Sequence, residues 1–304
     1  MSQDLPGESG TPPTPPRSVG QLTKLVLAYA KRQGQSAKRT RDWISYMAVG
    51  GALERTGGQG IDAHFTLKGG VALELRRKGN ARATKDLDVS YRGPETPDVV
   101  GVVEDALSTP YGRFTFQRTG TSFEMARVNT VRIDIKVRFN GSEWGTVIID
   151  VNRGEGTRTE IDLVDAFDIE KAFGIQGPNQ LPCLSLRHHI AQKIHGVTLP
   201  PIDANTPNER VQDAVDILLF QAEFPDDNSL AGLREACEEL FKARGTHDWP
   251  PVFNPPAHWR EEFATMAKEL DISTPDLATA IGEIREFVRA ISVVTPSPFT
   301  PNTR

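Results

Sequence analysis

Asp86 and Asp88 stand two residues apart in RATKDLDVSY. In an extended strand that spacing aims both carboxylates at one face, while Leu87 and Val89 take the other. Two adjacent carboxylates repel each other unless a cation lies between them, and hard dications such as Mg2+ or Mn2+ prefer oxygen ligands of this kind. Upstream, Gly69-Gly70 in FTLKGGVALEL makes a turn without side chains at the start of a helical pattern, where backbone N–H groups approach a phosphate closely. A phosphate cradle followed by a metal-holding pair is the minimal equipment for nucleotidyl transfer. Each piece has a plainer reading, a solvated strand end for the DxD and an ordinary turn for the glycines. Their order, strand, glycine pair, helix, DxD strand, is what makes the set specific.

Such a transfer wants a third carboxylate on a neighbouring strand, to complete the shell of a metal and assist deprotonation of the attacking hydroxyl. Asp134 in VRIDIKV and Asp150 in VIIDVNR both qualify, each flanked by apolar residues. An Asp in that setting is costly unless paired, hydrogen-bonded or metal-bound. One of the two is expected to be structural, paired with an arginine. Further on, Lys193 lies in the otherwise apolar and neutral AQKIHG, and Arg210, Asp213 and Asp216 follow one side of a helix at spacings of three. The plain reading of the latter is a surface ion pair worth about 0–1 kcal/mol. His188, His189 and His195 show no zinc-binding pattern and are expected to be structural.

The elements that must position these groups follow from the periodicities. Residues 1–17 are rich in Pro, Gly and Ser and read as a disordered tail. Ser18 caps a helix with Leu22, Leu25, Val26 and Tyr29 on one face, and a second helix carries Trp43, Ile44, Met47 and Leu53. A helix ending near Leu107 precedes three period-two runs, Phe114 to Phe116, Val131 to Val137 and Val147 to Val151. Asn140-Gly141 suggests antiparallel pairing of the last two, through a loop that takes in Ser142, Glu143 and Trp144. From about Leu184 the pattern is helical, with helices over 208–220, 228–244, 257–270 and 275–291, and the last residues, 296–304, are tail-like. A mixed sheet with helices beside it, then a helical region, is the expected class.

A chain of 304 residues with 38% hydrophobic and 25% charged content is long enough for a sizeable core or two domains. Its formal net charge of -5 argues against a nucleic-acid coat protein but leaves room for a local basic face. Arg76, Arg77, Lys78, Arg82 and Lys85 fall in one ten-residue window without an acid, beside the candidate phosphate site. Lys31, Arg32, Lys38, Arg39 and Arg41 form a second cluster. Solvated helix surface is the plain reading of either, and polyanion contact the one favoured by position. Cys183 and Cys237 are the only cysteines and imply neither a metal site nor a disulfide framework, which fits a reducing, cytoplasmic setting. No signal peptide or membrane span is expected.

Taken in order, FTLKGGVALEL, RATKDLDVS, VIIDVN, LPCLSLRHHIAQKIHGV and NERVQDAVDIL resemble the AbiEii family of nucleotidyltransferase toxins, which includes the MenT toxins, over roughly residues 63–220. The resemblance implies an α+β fold, a polymerase-beta-like nucleotidyltransferase sheet with flanking helices over 18–182, and a helical C-terminal domain over 183–295. It assigns Lys68, Gly69 and Gly70 to the triphosphate and Asp86 and Asp88 to Mg2+. It favours Asp150 over Asp134 as the third metal ligand, gives Lys193 the nucleotide phosphates, and places Asp213 at the rim of the site. Arg210 and Asp216 become supporting residues. The implied activity is that of a toxin moving NMP from an NTP to an RNA acceptor, the 3′ end of tRNA, with a cognate antitoxin as partner and no DNA. Arg76, Arg77, Lys78, Arg82, Lys38 and Arg39 are then expected along the RNA backbone, and Thr84 where an antitoxin would phosphorylate. The runner-up acceptors are a protein hydroxyl or a small molecule, and a nucleotide-binding module without transfer is the reading from a different class. Two departures stand out: a longer gap from Gly70 to Asp86, and Gln212 where the family often has Lys or Arg.

Overall fold

The computed structural model describes residues 13–56, 60–78, 84–94, 96, 98–125, 129–153, 160–201 and 206–295. Arg82, residues 1–12 of the expected leading tail and all of 296–304 lie outside them. The chain divides into two units, Met1–Leu184 and Ser185–Arg304.

The first unit begins with α1 (Val19–Gln33), where the Ser18 side chain accepts from the Gln21 N–H and Gly34 closes the helix in the left-handed region. Leu22, Val26 and Ala30, one turn apart, form its buried stripe. α2 (Ala37–Thr56) follows, then β1 (Phe65–Leu67), α3 (Gly69–Arg76), β2 (Leu87–Tyr91) and α4 (Val99–Ser108). β3 (Phe114–Met125), β4 (Thr130–Phe139) and β5 (Ser142–Asn152) form an antiparallel meander, and β6 (Ile161–Asp165), α5 (Ile169–Phe173) and β7 (Gln180–Leu184) complete the unit. The seven strands form one mixed sheet in the order β3-β4-β5-β2-β1-β7-β6, with β2–β5 and β1–β7 parallel. One face is a continuous apolar layer. Val131, Ile133, Ile135 and Val137 alternate inward with Val147, Ile149 and Val151, and α1, α2 and α4 contribute to the same core. Full burial of each such side chain stabilises by about 1.5–3 kcal/mol.

Two details differ from expectation. The β4–β5 loop is the two residues Asn140-Gly141 alone, both at positive φ as a tight hairpin turn requires, and Ser142 to Trp144 already belong to β5. The register then slips by one at Trp144, the extra residue of a bulge, whose buried indole N–H donates to the Ser45 hydroxyl at 3.1 Å while the Arg41 guanidinium lies over the ring. Secondly, residues 13–17 are not free tail. The Pro16 and Arg17 carbonyls accept from Arg113 Nη1 at 2.7 Å and Asn140 Nδ2 at 3.0 Å. Prolines have little backbone freedom to lose, so few contacts suffice to order them.

The second unit is helical: α6 (Leu186–Val197), α7 (Val211–Phe220), α8 (Asp227–Arg244), α9 (Trp259–Glu269) and α10 (Leu277–Val293). Asp226 and Asp276 cap α8 and α10 from the residue before each, as their sequence positions allow. No helix among the described residues is long and apolar enough to cross a membrane. Each unit holds one buried cysteine, Cys183 on β7 and Cys237 on α8. Burial pushes the Cys183 thiol up to about 12 and the Cys237 thiol well above its ordinary value.

Candidate active site

Three neighbouring strands set a row of charged residues across the polar face of the sheet. Asp88 on β2 is the parallel partner of Asp150 on β5, and Asp150 is the antiparallel partner of Arg132 on β4. The alternation of β2 leaves Asp88 and Ser90 half-buried on this face while Leu87, Val89 and Tyr91 are buried on the other. Asp86 sits one residue before the strand, also half-buried. Asp134 is exposed further along β4, opposite Ile148, so the register brings Asp150 and not Asp134 beside the DxD pair.

The glycine pair lies against these carboxylates. α3 begins at Gly69, whose φ of +60° is left-handed, and a Cβ there would overlap the Asp88 carboxylate. The Lys68 N–H donates to the Asp88 carbonyl at 2.9 Å, fixing the turn to the strand. A Cβ on Gly70 would fall 2.6 Å from Thr84 Cβ. Gly69→Ala therefore combines a backbone cost of about 1–2 kcal/mol with displacement of Asp88. We expect it to lower the melting temperature and abolish transfer together, whereas a fully active Gly69→Ala enzyme would separate the turn from the site.

Thr84 is buried, at 8% exposed, with its hydroxyl 3.2 Å from the Asp86 carbonyl and 3.3 Å from Asp86 Oδ1. A kinase would reach that hydroxyl only if the segment opened. The Tyr46 hydroxyl, 3.4 Å from the Thr84 carbonyl, braces the same segment from α2. Burial first, and then nearby acids including Asp42 and Asp86, push it well above the ordinary tyrosine value, so it stays a neutral donor. The sequence pattern does not single out Tyr46.

The arginine expected beside one of the strand acids is Arg132, and its partner is Asp150, the acid favoured as third metal ligand. Arg132 Nε and Nη2 donate to Asp150 Oδ1 and Oδ2 at 2.7 and 2.6 Å, and Nη2 lies 3.7 Å from Asp86 Oδ2. The bidentate bond to Asp150 holds the guanidinium above its ordinary pKa. As placed, no three acidic, His or Cys side chains among the described residues converge on a metal-binding point. The donor chemistry of Asp86 and Asp88 fits a hard dication as a pair.

Lys193, on α6 of the second unit, is 5% exposed and lies between two acids of α7. Its Nζ is 2.7 Å from Asp213 Oδ1 and 2.8 Å from Asp216 Oδ2, and Arg210 Nη1 reaches Asp213 Oδ2 at 3.1 Å. Burial would raise the Asp213 carboxyl, but Lys193 and Arg210 outweigh it and hold the group below its ordinary value. Asp216, fully buried, thus pairs with Lys193 as directly as Asp213 does, which spacing alone did not distinguish from a surface pair.

His188 and His195 are buried and hydrogen-bonded within the second unit. His188 Nδ1 meets the Ser185 hydroxyl at 2.8 Å. His195 lies between Thr246 and Arg244, edge-on to the Phe241 ring and tilted against His247. Burial, then Arg244, His247 and Arg210, push its pKa down to about 3 from 6.5. A depressed histidine contributes stability that is complete above the unfolded value, 6.5, and is lost as pH falls towards 3. Wild type should accordingly lose up to about 1.4 kcal/mol per pH unit for this group below that value. The melting midpoint of His195→Gln should depend less steeply on pH between 6.5 and 5, and equal slopes would remove His195 as the cause.

Two of the residues expected along the RNA backbone are engaged within the protein. Arg39 is tied to the buried Glu74 of α3, and Arg76, 11% exposed at its side chain, bonds Asp162 and the Ala72 and Leu184 carbonyls. Arg39 supplies the partner that the buried Glu74 carboxylate needs, and Arg76 does the same for the Leu184 carbonyl. Lys38, paired with Asp42 at 2.6 Å, and Lys78 are on the surface, and Arg77 is half-buried.

A mixed sheet with a glycine-opened helix set against a DxD strand defines the class as a nucleotidyltransferase. The profile of the nucleotidyl transferase AbiEii toxins of type IV toxin–antitoxin systems matches residues 52–291, and the chain belongs to this family. Its fold is similar to that of MenT4, a nucleotidyltransferase toxin from Mycobacterium tuberculosis H37Rv, with a TM-score of 0.56 over 92% of this chain and 91% of that one at 16% sequence identity. No curated protein matches it in sequence.

Proposed function

We propose that this nucleotidyltransferase moves NMP from an NTP to an RNA acceptor, the 3′ end of tRNA, and so blocks translation as the toxin partner of a cognate antitoxin in the cytoplasm. The observation that carries the reading is the register of Asp88 against Asp150 with the Gly69 backbone packed on Asp88. Asp86 and Asp88 would hold Mg2+, or Mn2+, with Asp150 as the third acid. The bound cation supplies Lewis-acid polarisation of the phosphoryl group and eases ionisation of the attacking hydroxyl. Gly69 and Gly70 at the N-terminus of α3 present backbone N–H groups to the triphosphate, where the helix dipole favours negative charge. Lys68, the residue capping that helix, and Lys193 are assigned to the nucleotide phosphates, and Asp213 orients Lys193. Lys38, Arg77 and Lys78 remain for the RNA backbone, and Thr84 as the hydroxyl that an antitoxin could modify in an opened segment.

The test is to incubate the protein with Mg2+, each α-labelled NTP in turn, and total tRNA, beside an Asp86→Ala variant. Label that moves with tRNA for wild type alone supports the reading and names the nucleotide. Label on a protein band would shift the acceptor to a protein hydroxyl, and bound nucleotide without any transfer would leave a binding module.

A further inference from the structure

The bidentate bond from Arg132 to Asp150 has a chemical cost for the site just described. Both oxygens of Asp150 are engaged, its side chain is only 10% exposed, and the guanidinium also lies within 3.7 Å of Asp86. Arg132 itself is 41% exposed at its side chain and stands at the end of the row nearest solvent, so it has room to move. Its placement is built in. The bulge at Trp144 shifts the β4–β5 register by one, and without that extra residue Val131 rather than Arg132 would face Asp150.

We propose that Arg132 is a positioning residue that acts as the resident counter-cation of the carboxylate row, holding Asp150 in reserve. It compensates the repulsion among Asp86, Asp88 and Asp150, and it competes with a dication for Asp150. Cation binding by Asp86 and Asp88 therefore recruits Asp150 only as Arg132 yields an oxygen. This inference rests on the proposed role of Asp86 and Asp88 as metal ligands. It assigns Arg132 a tuning role: the affinity of the apoprotein for a dication is set lower than three carboxylates alone would give.

The experiment is Mn2+ binding to the full-length protein, read by electron paramagnetic resonance without nucleotide, with folding of each variant checked by circular dichroism. Arg132→Gln should bind Mn2+ on the order of ten-fold more tightly than wild type, because the competing charge-assisted bonds are gone. Arg132→Lys keeps a cation but loses the fork, and should fall between the two. Adding Asp150→Asn to Arg132→Gln should erase the gain. If Arg132→Gln and Arg132→Lys bind Mn2+ no more tightly than wild type, while Asp86→Asn still loses the ion, the inference is overturned and the metal reading stands. If Asp86→Asn and Asp88→Asn bind Mn2+ as wild type does, the metal reading fails and the inference falls with it.

Discussion

Lys193→Met should destabilise the helical unit by about 3–5 kcal/mol, the penalty for leaving buried charge uncompensated. The ammonium lies within 2.8 Å of both Asp213 and Asp216. Its loss would leave two carboxylates one helical turn apart, with Arg210 reaching only Asp213. The pH dependence gives a second signature. In wild type the depressed Asp213 carboxyl contributes stability that is present above its ordinary value of 3.8 and lost only as pH falls through the lower folded value. In Lys193→Met only Arg210 would still oppose the effect of burial on Asp213, so that carboxyl would take up a proton more readily and the deficit should shrink on acidification from about pH 7 to pH 5. Urea unfolding at both pH values measures this, and adding Asp216→Leu should recover part of the loss. A deficit below about 1 kcal/mol would reduce the cluster to an ordinary surface pair.

Asp88→Asn should have the opposite profile, a large loss of activity with no loss of fold. The substitution keeps the size of the side chain beside Gly69 and relieves repulsion within the row of Asp86, Asp88 and Asp150, so the protein should still fold. Transfer should fall by about a thousand-fold, since a cation's contribution to a phosphoryl transition state is several kcal/mol and each 1.36 kcal/mol is ten-fold in rate. Single-turnover transfer from labelled NTP is the measurement. Retention of wild-type rate at saturating Mg2+ would remove Asp88 from the reaction.

What the sequence made legible is what depends on neighbours in the chain. Ser18 at the start of α1, the two-residue alternation of β4 and β5, and the glycine pair that opens α3 each have a local cause, and each is found where the pattern places it. β6 and β7 were not legible. They are five residues each, and Pro182 interrupts what would otherwise read as a strand. The Arg132–Asp150 bond was half legible: an arginine partner was expected, but which acid receives it depends on the one-residue slip at Trp144. Counting from the Asn140-Gly141 turn would have set Asp150 against Val131. Likewise the commitment of Arg39 and Arg76 to Glu74 and Asp162 is a matter of residues distant in sequence, so a run of basic residues looked freer than it is.

The two buried thiols give each unit its own chemical clock. Cys183 sits on β7, one strand in from the β6 edge of the sheet, and Cys237 on a buried face of α8, and each thiol is held protonated by burial, so neither reacts while its surroundings are closed. Alkylation at either position then proceeds only through opening of the unit that contains it. One sample, labelled over time and digested, therefore yields two separate opening free energies, with Lys193→Met quickening Cys237 and Gly69→Ala quickening Cys183.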